Sequence, residues 1–372
     1  MAEEVPTEWS PLGFRARCPP LSFTTLCTYR AQVVKELSRH SERWGAVELL
    51  IPRQGHYLFD EVRGRLPCLT KLCLNLKSES ELVIESFAEA PRLEQLYLIS
   101  GLYSVTFVLP WHQLTTLTCE NFTNVECMEI LQLCEALVDC SLIGKPTRIS
   151  MGLNLSTPIA RQHLTSLRAE GMVTQRILQN LELPSLRDLQ WEVDYFGHSL
   201  EILLSFLARS HCRLRNICLW LIKGKDLIQR FTPFFTSLVV LEIKTFEEFL
   251  NDEFLRWFTH DLEALPNLRK IAMDLDLQDW RAQNWTVELM REMIQSRCPG
   301  FTASRSVCLD TFRLVYRPDK DEDDTGLLHL AAEFKPLLDP KMIEFTISPN
   351  SKNWNLDLDS DSDFSSDLYW SD

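Results

Sequence analysis

Leu93-Glu94-Gln95-Leu96-Tyr97-Leu98 is the stretch of sequence that decides the fold. Its leucines stand at the first, fourth and sixth positions, and the end of the stretch alternates as a half-buried strand does. Ala90-Pro91-Arg92 precedes it, and proline suits that place because it ends a helix and has no N–H to donate. A single stretch of this kind is weak evidence, so its recurrence must decide the interpretation.

The same pattern, with aliphatic substitutes, recurs along most of the 372-residue chain. Its copies begin at Trp44, Leu69, Leu93, Leu114, Leu137, Leu164, Leu186, Leu214, Leu238, Leu268 and Leu309. The intervals are 25, 24, 21, 23, 27, 22, 28, 24, 30 and 41 residues. Eight of them fall within the period of about 20 to 29 residues that is typical of leucine-rich repeats. The sequence therefore predicts an α/β leucine-rich-repeat solenoid, with a curved parallel sheet on the concave side and helices on the convex side.

The segments between the predicted strands have apolar residues at helical spacing. We expect amphipathic helices at 79–89, 125–134, 174–181, 199–209, 249–263 and 286–297. Ser78 and Glu81 fit a capping box that would open the first of these helices. A helix near 326–338 and a strand near 342–347 would close the array. One unit alone buries too little apolar surface to offset the cost of ordering its backbone, so the units must stack.

Charge divides the chain unevenly. The formal net charge is −14, which argues against nucleic acid as a partner. Residues 319–372 contain fourteen acidic residues and four lysines, so they carry −10 of that charge. We therefore predict a lead-in or cap at 1–40 and about eleven irregular repeat units at 41–347. An acidic loop at 317–325 and a disordered Asp/Ser tail at 348–372 complete the organisation.

Several classes of protein are excluded by composition and motif. The acidic N-terminus does not resemble a secretory signal, and no apolar run is long enough to span a membrane. Twelve scattered cysteines without a Cys-x-x-Cys pair indicate a reduced protein, cytoplasmic or nuclear. No nucleotide-binding, hydrolase or metalloprotease motif occurs. We expect no enzyme activity, no metal, no cofactor and no membrane partner.

The pattern also predicts which side chains look outward. If the aliphatic positions point into the core, the residues flanking the second and third of them face the concave side. Tyr97 and Trp220 are the best anchors for a protein target, although they could instead pack on their neighbours. Ser360, with Asp363 three residues on, is a candidate phosphorylation site. The candidate partner-binding residues are Tyr97, Glu120, Arg168, Gln190, Glu192, Trp220, Glu242 and Lys244.

Longer phrases are similar to the region that follows the F-box in fungal F-box/leucine-rich-repeat proteins. They are Cys18-Pro19-Pro20-Leu21-Ser22-Phe23, Leu37-Ser38-Arg39-His40-Ser41-Glu42-Arg43-Trp44, Arg65-Leu66-Pro67-Cys68-Leu69-Thr70-Lys71-Leu72, Phe87-Ala88-Glu89-Ala90-Pro91-Arg92-Leu93 and Leu109-Pro110-Trp111-His112-Gln113-Leu114-Thr115-Thr116-Leu117. The resemblance covers roughly residues 18–320. It implies the substrate-recognition part of an F-box-type (SCF) ubiquitin ligase receptor that binds a protein target. It also implies the SCF adaptor as a partner if an F-box lies upstream of this sequence.

Two departures from that family bear on the interpretation. Pro11, Gly13, Pro19 and Pro20 are incompatible with the helices of an F-box, so we expect the F-box itself to be missing here. The Asn usual three positions after the last Leu is replaced, by Lys77, Gly101 and Phe122 in three units, so the strand exits should be irregular. The alternative function is a stand-alone repeat scaffold unconnected to ubiquitin.

Overall fold

The structure is a computed structural model that describes fifteen stretches of the chain. They are residues 12–15, 32–51, 56–76, 82–99, 105–144, 158–171, 173–192, 199–221, 230, 232–245, 252–260, 265–275, 284–297, 309–316 and 343–347. The chain divides into two compact units, of which the first comprises residues 1–220 and 230–238 and the second the remainder.

Parallel strands form the framework of the first unit. The strands are β1 Leu12–Arg15, β2 Trp44–Ile51, β3 Lys71–Leu76, β4 Leu82–Ile84, β5 Gln95–Ile99, β6 Val105–Phe107, β7 Thr116–Glu120, β8 Asp139–Ile143, β9 Ile159–Ala160, β10 Ser166–Glu170, β11 Leu181–Glu182, β12 Asp188–Glu192 and β13 Asn216–Leu221. The main sheet has the order β1-β2-β3-β5-β7-β8-β10-β12-β13. The short strands pair separately, β4 with β6 and β9 with β11. Chain order and sheet order therefore agree, as stacked repeats require.

Helices and 3₁₀ turns occupy the connections of the first unit. The helices are α1 over residues 32–38, α2 Asn124–Leu133, α3 Val173–Gln179 and α4 Ser199–Ser210. The 3₁₀ segments are Ser41–Arg43, His56–Val62, Trp111–Gln113 and Thr232–Phe234. A capping box opens α2: Thr123 Oγ1 accepts the N–H of Glu126, whose carboxylate accepts the N–H of Thr123.

The second unit repeats the same plan. Its strands are β14 Val240–Thr245, β15 Lys270–Leu275, β16 Thr311–Tyr316 and β17 Ile343–Ile347, paired in parallel in that order. Helix α5, Asp252–His260, packs against helix α6, Asn284–Arg297. None of the helices that the structure describes is long and apolar enough to cross a bilayer.

The register of the main sheet places the repeated aliphatic positions in rows. The second position of each repeat pairs with the second position of the next, as Leu72 does with Leu96. Those rows are buried, and the third row includes Cys119, Ala169 and a fully buried Trp191. Each large side chain removed from water in this way contributes about 1.5–3 kcal/mol. The predicted α/β leucine-rich-repeat fold is confirmed.

Most of the predicted connections are confirmed, and one is wrong. Helices form within or beside 125–134, 174–181, 199–209, 249–263 and 286–297, and the closing strand forms as β17. The expected helix at 79–89 is instead β4 followed by a turn. Val83 and Ile84 are β-branched and favour extended backbone, and β4 gains a hydrogen-bonded partner in β6.

Some predictions fall outside the described residues, and five short strands, β1, β4, β6, β9 and β11, were not predicted. The helix near 326–338, the acidic loop at 317–325 and the tail with Ser360 lie outside the described residues. Strand β1, within the expected lead-in, pairs with β2 and adds an edge to the sheet.

The strand exits explain the irregular repeat signature. Asn121 and Gly171 stand two residues after the third core position, with φ of 66° and 83°. The N–H of Asn121 donates to the carbonyl of Ile143, and that of Gly144 to the carbonyl of Glu170, so each exit is joined to the next strand. Left-handed backbone favours Gly and Asn. Phe122, at the position where Asn is usual, is buried.

Polar side chains tie several repeats of the first unit to the repeat before them. The hydroxyl groups of Thr70, Thr115 and Thr165, each following the first Leu of its repeat, donate to backbone carbonyls one repeat earlier. Gln113 Nε2 donates to the carbonyls of Ala90 and Leu93. The Leu-Thr and Gln-Leu-Thr phrases of the sequence therefore have a structural reason.

Candidate protein-binding face

Opposite the core, the first unit presents a sheet surface that we call the open face. It consists of three rows of side chains. One row precedes the second core residue of each repeat, the middle row follows that residue, and the exit row follows the third core residue. The middle row is Glu48, Cys73, Tyr97, Thr118, Ser141, Arg168, Gln190 and Cys218. The exit row is Leu50, Asn75, Ile99, Glu120, Ile143, Glu170, Glu192 and Trp220. Most side chains of the middle and exit rows are half-buried.

Tyr97 and Glu120 form one joined pair on this face. The phenol of Tyr97 donates to Glu120 Oε2 at 2.7 Å, from β5 to the neighbouring β7. Burial, and then the hydrogen bond and charge of Glu120, raise the pKa of Tyr97 well above its usual value, so the phenol stays neutral. The ring is half-buried. The pair thus presents an aromatic surface beside a carboxylate.

Arg168, Glu170 and Gln190 form a second network. Arg168 Nε donates to Glu170 Oε1 at 2.7 Å, and Gln190 Nε2 donates to the same oxygen at 2.9 Å. Glu170 is only 8% exposed, which is unusual for a carboxylate and is sustained by these two donors. Glu170 was not among the candidate residues. The sequence feature that could have identified Glu170 is its position, because it follows the third core residue of its repeat as Glu120 does.

Glu192 and Trp220 continue the exit row. Glu192 Oε2 accepts the backbone N–H of Gly171 at 2.7 Å, and the half-buried Trp220 is its register partner on β13. Five strand spacings of about 4.8 Å separate β5 from β13, so Tyr97 and Trp220 lie roughly 24 Å apart. The six candidates of the first unit therefore share one face, but the two aromatic anchors do not form one cluster.

The last two candidates belong to the second unit. Glu242 and Lys244 lie on β14, with Lys244 Nζ 3.4 Å from Glu242 Oε1. Lys244 is 6% exposed, because its stem packs along the sheet. It offers a partner little surface, and Glu242 is the more accessible of the pair.

Four cysteines of the first unit, Cys119, Cys127, Cys134 and Cys140, are buried and serve packing. Burial raises the pKa of Cys119 and Cys140 well above the ordinary value and that of Cys134 to about 12, so these thiols stay protonated and poorly nucleophilic. Cys127 of α2 also has a raised pKa, from burial and then the charge of Glu126. Within the described stretches, no group of three or more His, Cys, Asp or Glu side chains could hold a metal ion.

We expect iodoacetamide at about pH 8 to leave Cys119, Cys127 and Cys140 unmodified in the folded protein, because alkylation requires an accessible thiolate. Peptide mass spectrometry measures the modification, and the same treatment in urea, where all three should react, is the control. Rapid labelling of Cys140 without urea would contradict a closed core.

Since the unfolded chain releases the protons of these buried thiols above its thiol pKa near 9.0 and the folded chain retains them, stability should fall as pH rises above that value.

Comparisons with known proteins identify no family for this chain. No protein-family model matches the sequence, and no curated protein matches it. Among solved structures, the chain is similar to a Bacteroides fragilis protein determined by a structural genomics consortium. The identity is 15%, the TM-score is 0.33, and the match covers 50% of this chain. The chain spans 60% of the length of that protein.

Proposed function

We propose that this protein is a protein-binding repeat domain that serves as the target-recognition part of an F-box-type ubiquitin ligase receptor. The observation that carries the binding role is the open face of the first unit. Its polar side chains are already fixed by hydrogen bonds, as in Tyr97 to Glu120 and Arg168 to Glu170. Side chains held in place before binding lose less conformational entropy when a partner arrives.

The link to ubiquitin is supported by the sequence phrases similar to fungal F-box/leucine-rich-repeat proteins. The structure gives several of those phrases a packing role: Trp111 is in the core, and Gln113 and Thr115 bond to the preceding repeat. They therefore support a shared scaffold more directly than a shared target. The remaining candidate is a scaffold with no connection to ubiquitin.

Affinity capture from native cells tests the ligase role. The full chain carrying a C-terminal affinity tag is the bait, and quantitative mass spectrometry measures the recovery of the SCF adaptor and cullin. Enrichment of both over a tag-only control is the expected result. Their reproducible absence, with other proteins retained, would favour the stand-alone scaffold.

Replacing both aromatic anchors tests the open face. We expect Tyr97→Ala with Trp220→Ala to weaken target capture at least about tenfold, because aromatic side chains dominate binding energy at protein interfaces. The melting temperature should change by only a few degrees, since both rings are partly exposed. Tyr57→Ala is a matched control, because Tyr57 is 57% exposed and lies in a 3₁₀ connection outside the open face. Unchanged capture would show that the rings do not bind the target, and a collapse of stability would show that they serve packing.

A further inference from the structure

The open face of the first unit carries an excess of negative charge. Its three rows include six carboxylates, Glu48, Glu120, Asp139, Glu170, Asp188 and Glu192, but only two cations, Lys71 and Arg168. The formal charge of the face is therefore −4. Arg168 already donates to Glu170 at 2.7 Å, so this cation is engaged within the face. A partner with complementary charge must bring cations of its own.

Between β5 and β10, the side chains of the open face differ in size. In the middle row, the small side chains Thr118 and Ser141 lie between the larger Tyr97 and Arg168. They form the floor of a shallow trough that those two side chains flank. In the exit row, Glu120 and Glu170 stand on either side of Ile143. Two strand spacings, about 10 Å, separate the backbones that carry these carboxylates.

Each carboxylate has one oxygen that the donors named above do not use, and Glu170, which is 8% exposed, presents only that edge to a partner. Tyr97 donates to Oε2 of Glu120, and both donors to Glu170 use its Oε1. Among the described residues, no donor lies on Oε1 of Glu120 or on Oε2 of Glu170. The half-buried ring of Tyr97 adds a surface that favours a cation, and Ile99 and Ile143 add apolar area for the stems of long side chains.

We propose that this trough binds an extended segment of a partner protein through arginine or lysine side chains, with Glu120 and Glu170 as the two acceptors. A polyproline II segment rises about 3.1 Å per residue with three residues per turn, so its side chains three apart are about 9 Å apart on one face. That spacing is close to the separation of about 10 Å between the two backbones that carry Glu120 and Glu170. The inference rests on the proposed function, since it names the partner chemistry of the same face.

A pair of synthetic peptides provides the test. The probe is a fluorescein-labelled peptide of four Arg-Pro-Ser repeats, and the reference is the same peptide with Glu in place of Arg. Fluorescence anisotropy with the full chain at low salt measures binding. We expect the Arg peptide to bind, the Glu peptide to bind at least about tenfold more weakly, and added salt to weaken the Arg peptide.

Two charge-matched double variants locate the binding. Glu120→Gln with Glu170→Gln should weaken the Arg peptide at least about tenfold, because it neutralises the two acceptors and preserves the shape of the side chains. Glu129→Gln with Glu135→Gln removes the same charge from exposed positions on and just after α2, away from the open face, and should leave binding unchanged. Equal binding of the two peptides, or equal losses in the two variants, would overturn the proposal. Melting curves verify that the variants are folded.

The two proposals fail in different ways. If Tyr97→Ala with Trp220→Ala loses the captured target but Glu120→Gln with Glu170→Gln retains it, the face binds through apolar anchors and the charge-based inference is overturned. If the Arg peptide binds through Glu120 and Glu170 but adaptor and cullin are never captured, the inference stands and the ligase role does not.

Discussion

Gly171→Ala is expected to lower the free energy of unfolding by about 3 kcal/mol or more. Gly171 has φ of +83°, where an added Cβ alone costs about 1–2 kcal/mol. That Cβ would also lie 2.5 Å from the backbone carbonyl oxygen of Gly144, so the exit of β8 would have to shift. Because the N–H of Gly144 donates to the backbone carbonyl of Glu170, the shift would also disturb this hydrogen bond between the exit of β8 and β10. Urea unfolding followed by circular dichroism measures the loss.

Gly64→Ala is the matched control for this variant. Gly64 has a similar φ of +71°, but its added Cβ would lie 3.1 Å from Oε2 of Glu89, the end of an exposed and flexible side chain. We therefore expect a loss of about 1–2 kcal/mol, from the backbone conformation alone. Equal losses at Gly64 and Gly171 would show that the loop at Gly144 moves at little cost.

Arg297→Met is expected to destabilise the second unit by about 2–4 kcal/mol. Arg297, at the end of α6, is 3% exposed, and its Nε and Nη2 donate to the carbonyl of Phe258 at 3.1 and 2.9 Å. Its guanidinium also lies 4.2 Å from the centre of the Phe258 ring. Methionine fills part of the space but leaves the carbonyl near the end of α5 without these donors. Hydrogen exchange at β14 and β15 would report the loss directly.

Arg269→Met provides the comparison within the same unit. Arg269 is half-exposed, and its Nη1 lies 3.6 Å from Asp310, which is also exposed. Exposed ion pairs contribute little, so the expected loss is under about 0.5 kcal/mol. Equal losses of stability in the two Arg variants would show that the bonds from Arg297 to the carbonyl of Phe258 contribute no more than an exposed ion pair.

The first unit contains the same kind of contact as Arg297 makes, in which an arginine side chain donates to backbone carbonyls near the end of a helix. Arg161 donates to the carbonyl of Leu131 in α2, and Arg209 to those of Leu178 and Leu181 at and beyond the end of α3. In each case an arginine of a later repeat satisfies carbonyls near the end of the preceding connection. Sequence periodicity does not identify these arginines, because their partners are backbone atoms.

The strands and the core were predictable because both follow a short local period. Leu96 and Leu98 point to one side of β5 and Tyr97 to the other, and the recurrence of that pattern brings equivalent positions into register. Even Trp191 fits, since it occupies a third core position in place of an aliphatic residue. The error at 79–89 arose where pairing with β6, which lies later in the chain, decided the local structure. Propensity within the segment carries no information about that partner.

The candidate site was predictable by position but not by contact. The alternation of the strands placed Tyr97, Glu120 and Trp220 on one face, as observed. The bond from Tyr97 to Glu120 joins two repeats, so it depends on a register that one strand does not reveal. Glu170 depends in the same way on Gln190 of the neighbouring strand β12, whereas its other donor, Arg168, lies two residues earlier on its own strand.

The threonine and glutamine links between successive repeats have a mechanical consequence. Thr70, Thr115 and Thr165 each reach only the repeat before their own, so a pull on the two ends of the first unit would load these joints in series. The weakest joint would yield first and leave the others intact. At about 3.4 Å per extended residue, release of one repeat of roughly 24 residues would lengthen the chain by about 80 Å. Force spectroscopy would then record a row of steps of that size.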